Sequence, residues 1–290
     1  MAFVTVAIWG STFVFTKILL VNGLSPAQIF TLRFIIAYIL LLMFELTFRR
    51  QSFRLFSNSR RDELVMLLLG ISGGSMYFLT ENAAMLYTTA TNTSLIVCSC
   101  PLFAMLLVAL AYRQSEKFTR MQVAGSLIAC AGMAAVVLNG RFVLHLSPKG
   151  DMLAFGACLC WAVYSLLMKT VTEHYSTFFI TRKVFFYGLL TILPYYLAVP
   201  GFPSMEVIFS SQVIWNLLFL GVVASMVCFL VWNWVIHQLG AVVATNWVYF
   251  NPITTILFAW WLLHEQITPW FLFGTVLILT GMYLCGRVAK

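Results

Sequence analysis

The sequence predicts an all-α integral membrane protein of ten transmembrane helices arranged as two inverted five-helix repeats. Three observations lead there. The composition is too apolar for a water-soluble domain, the chain divides into ten apolar runs of membrane-spanning length, and a set of residues recurs at an offset near 151 positions with its loop charges reversed.

Of the 290 residues, 62% are hydrophobic and 9% charged, whereas a typical soluble domain carries about 25% charged residues. A helix needs about 20 apolar residues to cross the hydrocarbon core. The runs here are long and unbroken, unlike the alternating segments of a transmembrane β-barrel. The net charge of +8 would suggest a nucleic-acid partner in a soluble protein. No basic stretch here is interleaved with base-stacking aromatics, so no nucleic-acid partner is expected. The seven cysteines lie inside apolar runs, and Cys98-x-Cys100 and Cys158-x-Cys160 lack the wider gap of zinc ligands. His145, His174, His237 and His264 are scattered, so neither a metal nor another cofactor is expected.

The predicted spans are 2–21, 27–47, 64–84, 92–112, 121–139, 151–170, 177–198, 213–235, 244–263 and 269–286. Asn22-Gly23-Leu24-Ser25-Pro26 interrupts the first two, since Gly, Asn and Pro disfavour continued helix. Polar, charged segments at 48–63 and 113–120 follow the second and fourth spans. Pro148-Lys149-Gly150 and Pro200-Gly201-Phe202-Pro203 mark further loops, and Pro269 opens the last helix at a favoured first-turn position. With the N-terminus inside, thirteen Lys and Arg fall at cytoplasmic positions, while only Arg141 and Lys149 fall outside. That bias places both termini in the cytoplasm. Lys17 and Arg33 remain within the membrane.

The repeat joins residues 1–140 to residues 150–290. Trp9-x7-Lys17 matches Trp161-x7-Lys169, Gly70-x3-Gly74 matches Gly221-x3-Ser225, and Phe78-x3-Asn82 matches Phe229-x3-Asn233. Pro101 matches Pro252. Glu116, Gly125 and Gly132 match Glu265, Gly274 and Gly281 after a two-residue indel. Five spans per half force the second half to enter the membrane upside down. The charges agree, because the five-Arg loop at 48–63 corresponds to a segment, 200–212, with no Lys or Arg. Inverted repeats suit a protein that opens alternately to the two sides of a membrane.

Ile8-Trp9-Gly10-Ser11-Thr12-Phe13 with Lys17, Leu24-Ser25-Pro26, Leu32-Arg33-Phe34, Glu81-Asn82-Ala83-Ala84-Met85 and the closing series from Asn251-Pro252 through Glu265 to Gly281 resemble the EamA-type domain of the drug/metabolite transporter superfamily. The resemblance covers essentially the whole chain. It implies a central cavity enclosed mainly by spans 1–4 and 6–9, a plasma-membrane (bacterial inner-membrane) location, and export of amino acids, aromatic ones included, or of other metabolites.

Candidate substrate contacts are the aromatics Trp9, Tyr77, Trp161, Tyr164 and Tyr249, with Ser75 and Asn251; for each aromatic, ordinary packing is the competing reading. Pro101 and Pro252 free a carbonyl at membrane depth and read either as hinges or as packing kinks. Intramembrane charges mark function by default. Lys17, Arg33 and Glu81 lie at similar depth, so Glu81 is expected to pair with Lys17 or Arg33 in closing the outer side, unless the cations snorkel to headgroups. Lys169, with Glu173, Arg182 and Lys183, forms the inner counterpart. Glu45, Glu116 and Glu265 read as capping groups at helix ends. No catalytic or nucleotide-binding motif occurs, so the expectation is a secondary transporter for a small molecule, with a proton as candidate coupling ion through Glu81. Cationic-drug efflux is the alternative within transport; an intramembrane enzyme or a scaffold is the alternative outside it.

The inverted topology is directly testable. In a background without native cysteines, Cys at position 57 (S57C) resists an impermeant maleimide in intact cells, and Cys at position 204 (S204C) is labelled. Equal labelling of both sites contradicts the charge assignment.

Overall fold

The computed structural model describes residues 1–88, 90–111, 119–138, 147–198, 201–263 and 269–286. Among these the chain is helical throughout: α1 Ala2–Val21, α2 Pro26–Phe48, α3 Arg60–Gly70, α4 Met76–Tyr87, α5 Ala90–Val97, α6 Cys100–Ala111, α7 Arg120–Leu138, α8 Pro148–Val171, α9 Thr177–Ala198, α10 Met205–Ile208, α11 Ser211–Leu218, α12 Cys228–Leu239, α13 Ala241–Asn246, α14 Asn251–Leu263 and α15 Pro269–Gly286. Two π-helical turns, Ile71–Ser75 and Phe219–Val227, join α3 to α4 and α11 to α12, and a 3₁₀ turn, Trp247–Phe250, joins α13 to α14. Seven stretches among the described residues are long and apolar enough to cross a membrane: Ala2–Val21, Pro26–Phe48, Arg60–Tyr87, Pro148–Val171, Thr177–Ala198, Ser211–Leu239 and Ala241–Phe258. Cys100–Ala111 and Leu272–Leu284 are shorter apolar helices. Glu116 and Glu265, expected to cap helices, lie outside the described residues.

Local sequence explains the helix ends. Ser25 caps α2, accepting from the Gln28 amide while the Gln28 side chain accepts from the Ser25 N–H, and Pro26 occupies the first turn. The Ser59 and Ser147 side chains cap α3 and α8 by accepting from the Asp62 and Gly150 amides, with Asp62, Glu63 and Asp151 in the favourable N-terminal turns. Gly23 and Gly240 take φ of 90° and 77°, closing α1 and opening α13.

The two prolines sit at helix restarts rather than inside continuous helices. Pro101 follows a turn at residues 98–99 and lies in the first turn of α6, and Pro252 lies in the first turn of α14 after the 3₁₀ segment.

Packing runs mostly between the first and second halves of the chain. The most extensive helix pair is α7 with α15; α4 packs on α8, α1 on α14, and α2 on α9. Small residues allow these approaches. A Cβ on Gly132 would meet the Gly274 carbonyl oxygen at 2.7 Å, and one on Gly281 would strike the Gly125 backbone. A Cβ on Gly74 would lie 3.2 Å from the Gly188 Cα, and one on Gly221 3.0 Å from Ile36.

One end of the bundle is held by two ion pairs, the first buried on both sides and the second with a half-buried carboxylate. Arg182 of α9 pairs with Glu45 of α2 and donates to the Arg54 carbonyl, while Lys183 pairs with Glu63 of α3, which also accepts from Tyr187. Tyr175 donates to Asp62 at 2.6 Å and accepts from the Asn58 amide at 2.8 Å. The arginine-rich segment 49–59 is thereby stitched onto the start of α9. Glu45, expected as a cap, is instead 4% exposed and neutralised across 137 residues of sequence.

Breaking a buried pair costs more than removing both charges. Arg182→Ala lowers stability by about 3–5 kcal/mol, read as a lower thermal midpoint in detergent. The double variant Arg182→Met/Glu45→Met recovers most of the loss; equal midpoints for single and double variants contradict the pairing.

Candidate functional site

A cavity lies where the helices cross, lined by Trp9, Thr12 and Phe13 of α1, Arg33 of α2, Tyr77, Phe78 and Glu81 of α4, Val97 and Cys100 at the α5–α6 break, Trp161 of α8, Phe229 of α12, and Val248 and Asn251 at the α13–α14 break. Its free volume is about 30 Å³. At about 10–15 Å³ per water, it has room for a few waters. Both helix interruptions open onto it. Val97 and Val248 stand four residues before Pro101 and Pro252, so their carbonyls are the ones proline cannot satisfy. The Val248 carbonyl takes a 3₁₀ bond from the Asn251 N–H instead.

Eight of the thirteen wall residues fall in related pairs, Trp9 and Trp161, Phe78 and Phe229, Val97 and Val248, Cys100 and Asn251, each separated by 151 or 152 residues. The aromatic rings interlock. Trp9 meets Trp161 edge-on at 5.4 Å and Trp232 at 5.0 Å, and Tyr77 meets Trp161 at 5.0 Å. The Trp9 indole N–H donates to the Ala224 carbonyl at 2.9 Å. Ala224 lies within the second π turn, where the widened helix leaves a carbonyl without its usual i+4 partner.

Two opposite charges line this apolar space. Arg33 is 2% exposed, donates from Nε to Ser225 Oγ at 2.9 Å, and holds its guanidinium 4.5 Å from the Phe78 ring centre. Glu81 is 7% exposed and accepts from Tyr77 Oη at 2.8 Å. Glu81 lies in the field of Arg33, yet the two make no direct ion pair. The Asn251 Oδ1 is buried and accepts no hydrogen bond.

Not every candidate reaches the cavity. Lys17, a suggested partner of Glu81, donates to the Met85 carbonyl at 2.7 Å. Ser75 bonds Thr191 of α9 at 2.7 Å, within the helix packing. Tyr249 is fully buried outside the lining. Tyr164 packs under Trp161 and donates to Asn233 Oδ1 at 2.6 Å, while Asn233 donates to Thr181 at 2.8 Å. Lys169 lines a separate cavity of about 280 Å³ with Gln122, Thr172, Glu173 and His237.

A closed layer separates the two cavities. Trp161, Ser165 and Lys169 succeed one another by one turn on α8; Phe229, Asn233 and Ile236 do so on α12; Val248, Thr245 and Ala241 do so on the ninth predicted span. The middle residues join side chains, through Tyr164–Asn233–Thr181 and through Thr245 donating to Ser165 at 3.2 Å. Thr181, Ser165, Ser225 and Thr245 carried no signal in the sequence beyond being small polar residues in apolar helices. In the sequence Ser225 stands out only as the end of the Gly221-x3-Ser225 repeat match.

The EamA-like transporter family model matches residues 1–138 and again 148–287. An "Uncharacterized transporter" of Archaeoglobus fulgidus is 27% identical over 97% of this chain and 94% of its own length. A "Probable amino-acid metabolite efflux pump" of Salmonella typhimurium is 28% identical over 98% of this chain and 93% of its own. A "Probable terminal-alkyne amino-acid exporter" of Streptantibioticus cattleyicolor is 26% identical over 78% and 74%. A solved crystal structure superposes with a TM-score of 0.77 at 18% identity, covering 99% of this chain and 96% of that one, which supports the helical fold. With both segments matched across nearly its whole length, the chain belongs to the EamA-like transporter family and is a multi-pass membrane transporter.

Proposed function

We propose that the chain is a secondary transporter that exports amino acids, aromatic ones among them, or closely related metabolites. It does so by alternating access between two inverted five-helix halves, residues 1–140 and 150–290. In this reading ten helices span the plasma membrane, the bacterial inner membrane, with both termini in the cytoplasm. α5–α6 together make the fourth span, α7 the fifth, the segment from α13 to α14 the ninth and α15 the tenth.

One observation carries the reading: four pairs of corresponding positions from the two halves meet in the walls of the central cavity. Such a site stays on the pseudo-symmetry axis when the halves exchange conformations. The layer of Tyr164, Ser165, Asn233 and Thr245 is then the closed inner gate, and Pro101 and Pro252 are the hinges beside it. The aromatic walls suit an apolar or aromatic side chain. Two of the relatives carry names that refer to amino-acid export, in keeping with that substrate class. Efflux of cationic drugs is less favoured, because Arg33 stands in the field of the carboxylate such a substrate would need.

Flux from proteoliposomes tests the proposal. Purified protein moves labelled phenylalanine, tyrosine or leucine faster than empty vesicles do, and a pH gradient accelerates the movement if protons are coupled. Trp161→Ala cuts that flux at least about tenfold by removing a cavity wall, a loss of about 1.4 kcal/mol or more. Trp215→Ala, at a 69% exposed position, leaves it unchanged. Absence of flux for every labelled amino acid contradicts the substrate class, and an unaffected Trp161→Ala variant contradicts the cavity.

A further inference from the structure

The central cavity holds charges that its own protein neighbours leave half-used. Among the described residues, Arg33 makes one side-chain hydrogen bond, from Nε to Ser225, and its two terminal amino groups have no protein acceptor. Glu81 receives the Tyr77 hydroxyl on Oε1, and its second oxygen receives no protein donor. Asn251 Oδ1 is buried and unpartnered in a residue only 6% exposed. All three residues line the same space.

A buried cation and a buried anion on the walls of one cavity ordinarily close into an ion pair, because an uncompensated charge in a low-dielectric interior is expensive. Here each is held back. Ser225 and the Phe78 face fix the guanidinium, and Tyr77 fixes the carboxylate. The result is a fork of donors and a pair of acceptors lining one cavity, with aromatic rings among its walls. Planar guanidinium donors fit a carboxylate in two-point contact, while a carboxylate oxygen and an amide oxygen together suit the donors of a primary ammonium.

We infer that Arg33, Glu81 and Asn251 form a zwitterion site: the terminal amino groups of Arg33 take a substrate α-carboxylate, and the free oxygens of Glu81 and Asn251 take its α-ammonium. Trp9, Trp161 and Phe229 face the side chain. This rests on the transport reading above and narrows it to free α-amino acids. The selectivity has a repulsive half as well as an attractive one. An amine without a carboxylate leaves the Arg33 fork unmet, and an acid without an amine sets a second anion beside Glu81. With about 30 Å³ free, the cavity admits the substrate only as its halves part.

The experiment uses full-length protein in proteoliposomes with labelled L-phenylalanine, phenethylamine and 3-phenylpropionate. Wild type moves phenylalanine at least about 10-fold faster than either analogue, the loss expected when a charge-assisted hydrogen bond goes unmade. Arg33→Gln erases the preference over phenethylamine, and Glu81→Gln erases the preference over 3-phenylpropionate. Arg33→Lys keeps the charge but not the fork, and recovers only part of the preference. The wild-type comparison of the three compounds stands even where a variant fails to fold. Phenylalanine flux with no preference over the analogues, or with preferences that survive both Gln variants, overturns the site while leaving amino-acid transport intact. If none of the labelled amino acids moves, the transport reading falls and the site with it.

Discussion

Arg33 lies two turns into α2, 2% exposed, in a helix apolar enough to cross a bilayer. A charge at the centre of a membrane helix costs about 2.5–3.5 kcal/mol on insertion scales. The middle of the bundle is organised to hold it. The Phe78 ring face offsets part of the cost, at about 0.5–2 kcal/mol for such a contact. Ser225 takes its Nε–H, and Glu81 supplies the opposing charge. Each partner imposes a demand of its own. Ser225 must approach α2 closely, which Gly221 permits one turn earlier by packing against Ile36 and the Arg33 carbonyl. Glu81 must be kept from Arg33, which Tyr77 does.

The two π turns serve the same centre. Ile71–Ser75 brings Gly73 against the Tyr164 ring and Gly74 against Gly188; Phe219–Val227 offers Ala224 to the Trp9 indole and Ser225 to Arg33. Their recurrence in the corresponding helix of each half, beside the Gly70-x3-Gly74 and Gly221-x3-Ser225 pairs, fits an architecture in which related elements meet from opposite directions. The chemistry they carry differs between the halves. The position aligned with Glu81 is Trp232, whose buried indole N–H has no partner, so the charged side of the cavity belongs to the first half.

Most of the framework was legible because length and punctuation are local. Ser25-Pro26 marks a helix start that the structure keeps, while Ser59 and Ser147 cap α3 and α8 a few residues ahead of the predicted starts at 64 and 151. Part of the cavity was legible too: Trp9, Tyr77, Glu81, Trp161 and Asn251 all line it. Rotation about the helix axis was not. Helices that are apolar all round carry no facing signal, so Ser75, Tyr164 and Tyr249, read as cavity contacts, lie outside its lining. Long-range pairing was equally hidden. Glu45 and Glu63 meet Arg182 and Lys183 across more than a hundred residues of sequence, and nothing in the local pattern separates a capping acid from a buried one. The π turns left no trace beyond clusters of small residues.

The central claim is that the gap between Arg33 and Glu81 is a substrate position rather than a packing defect. An experimental structure of the protein with a bound aromatic amino acid tests this most directly. The account predicts ligand density between the two side chains, with the carboxylate on the Arg33 fork and the ring among Trp9, Trp161 and Phe229. Density in the Lys169 cavity instead, with Arg33 and Glu81 closed into a direct ion pair, would contradict it.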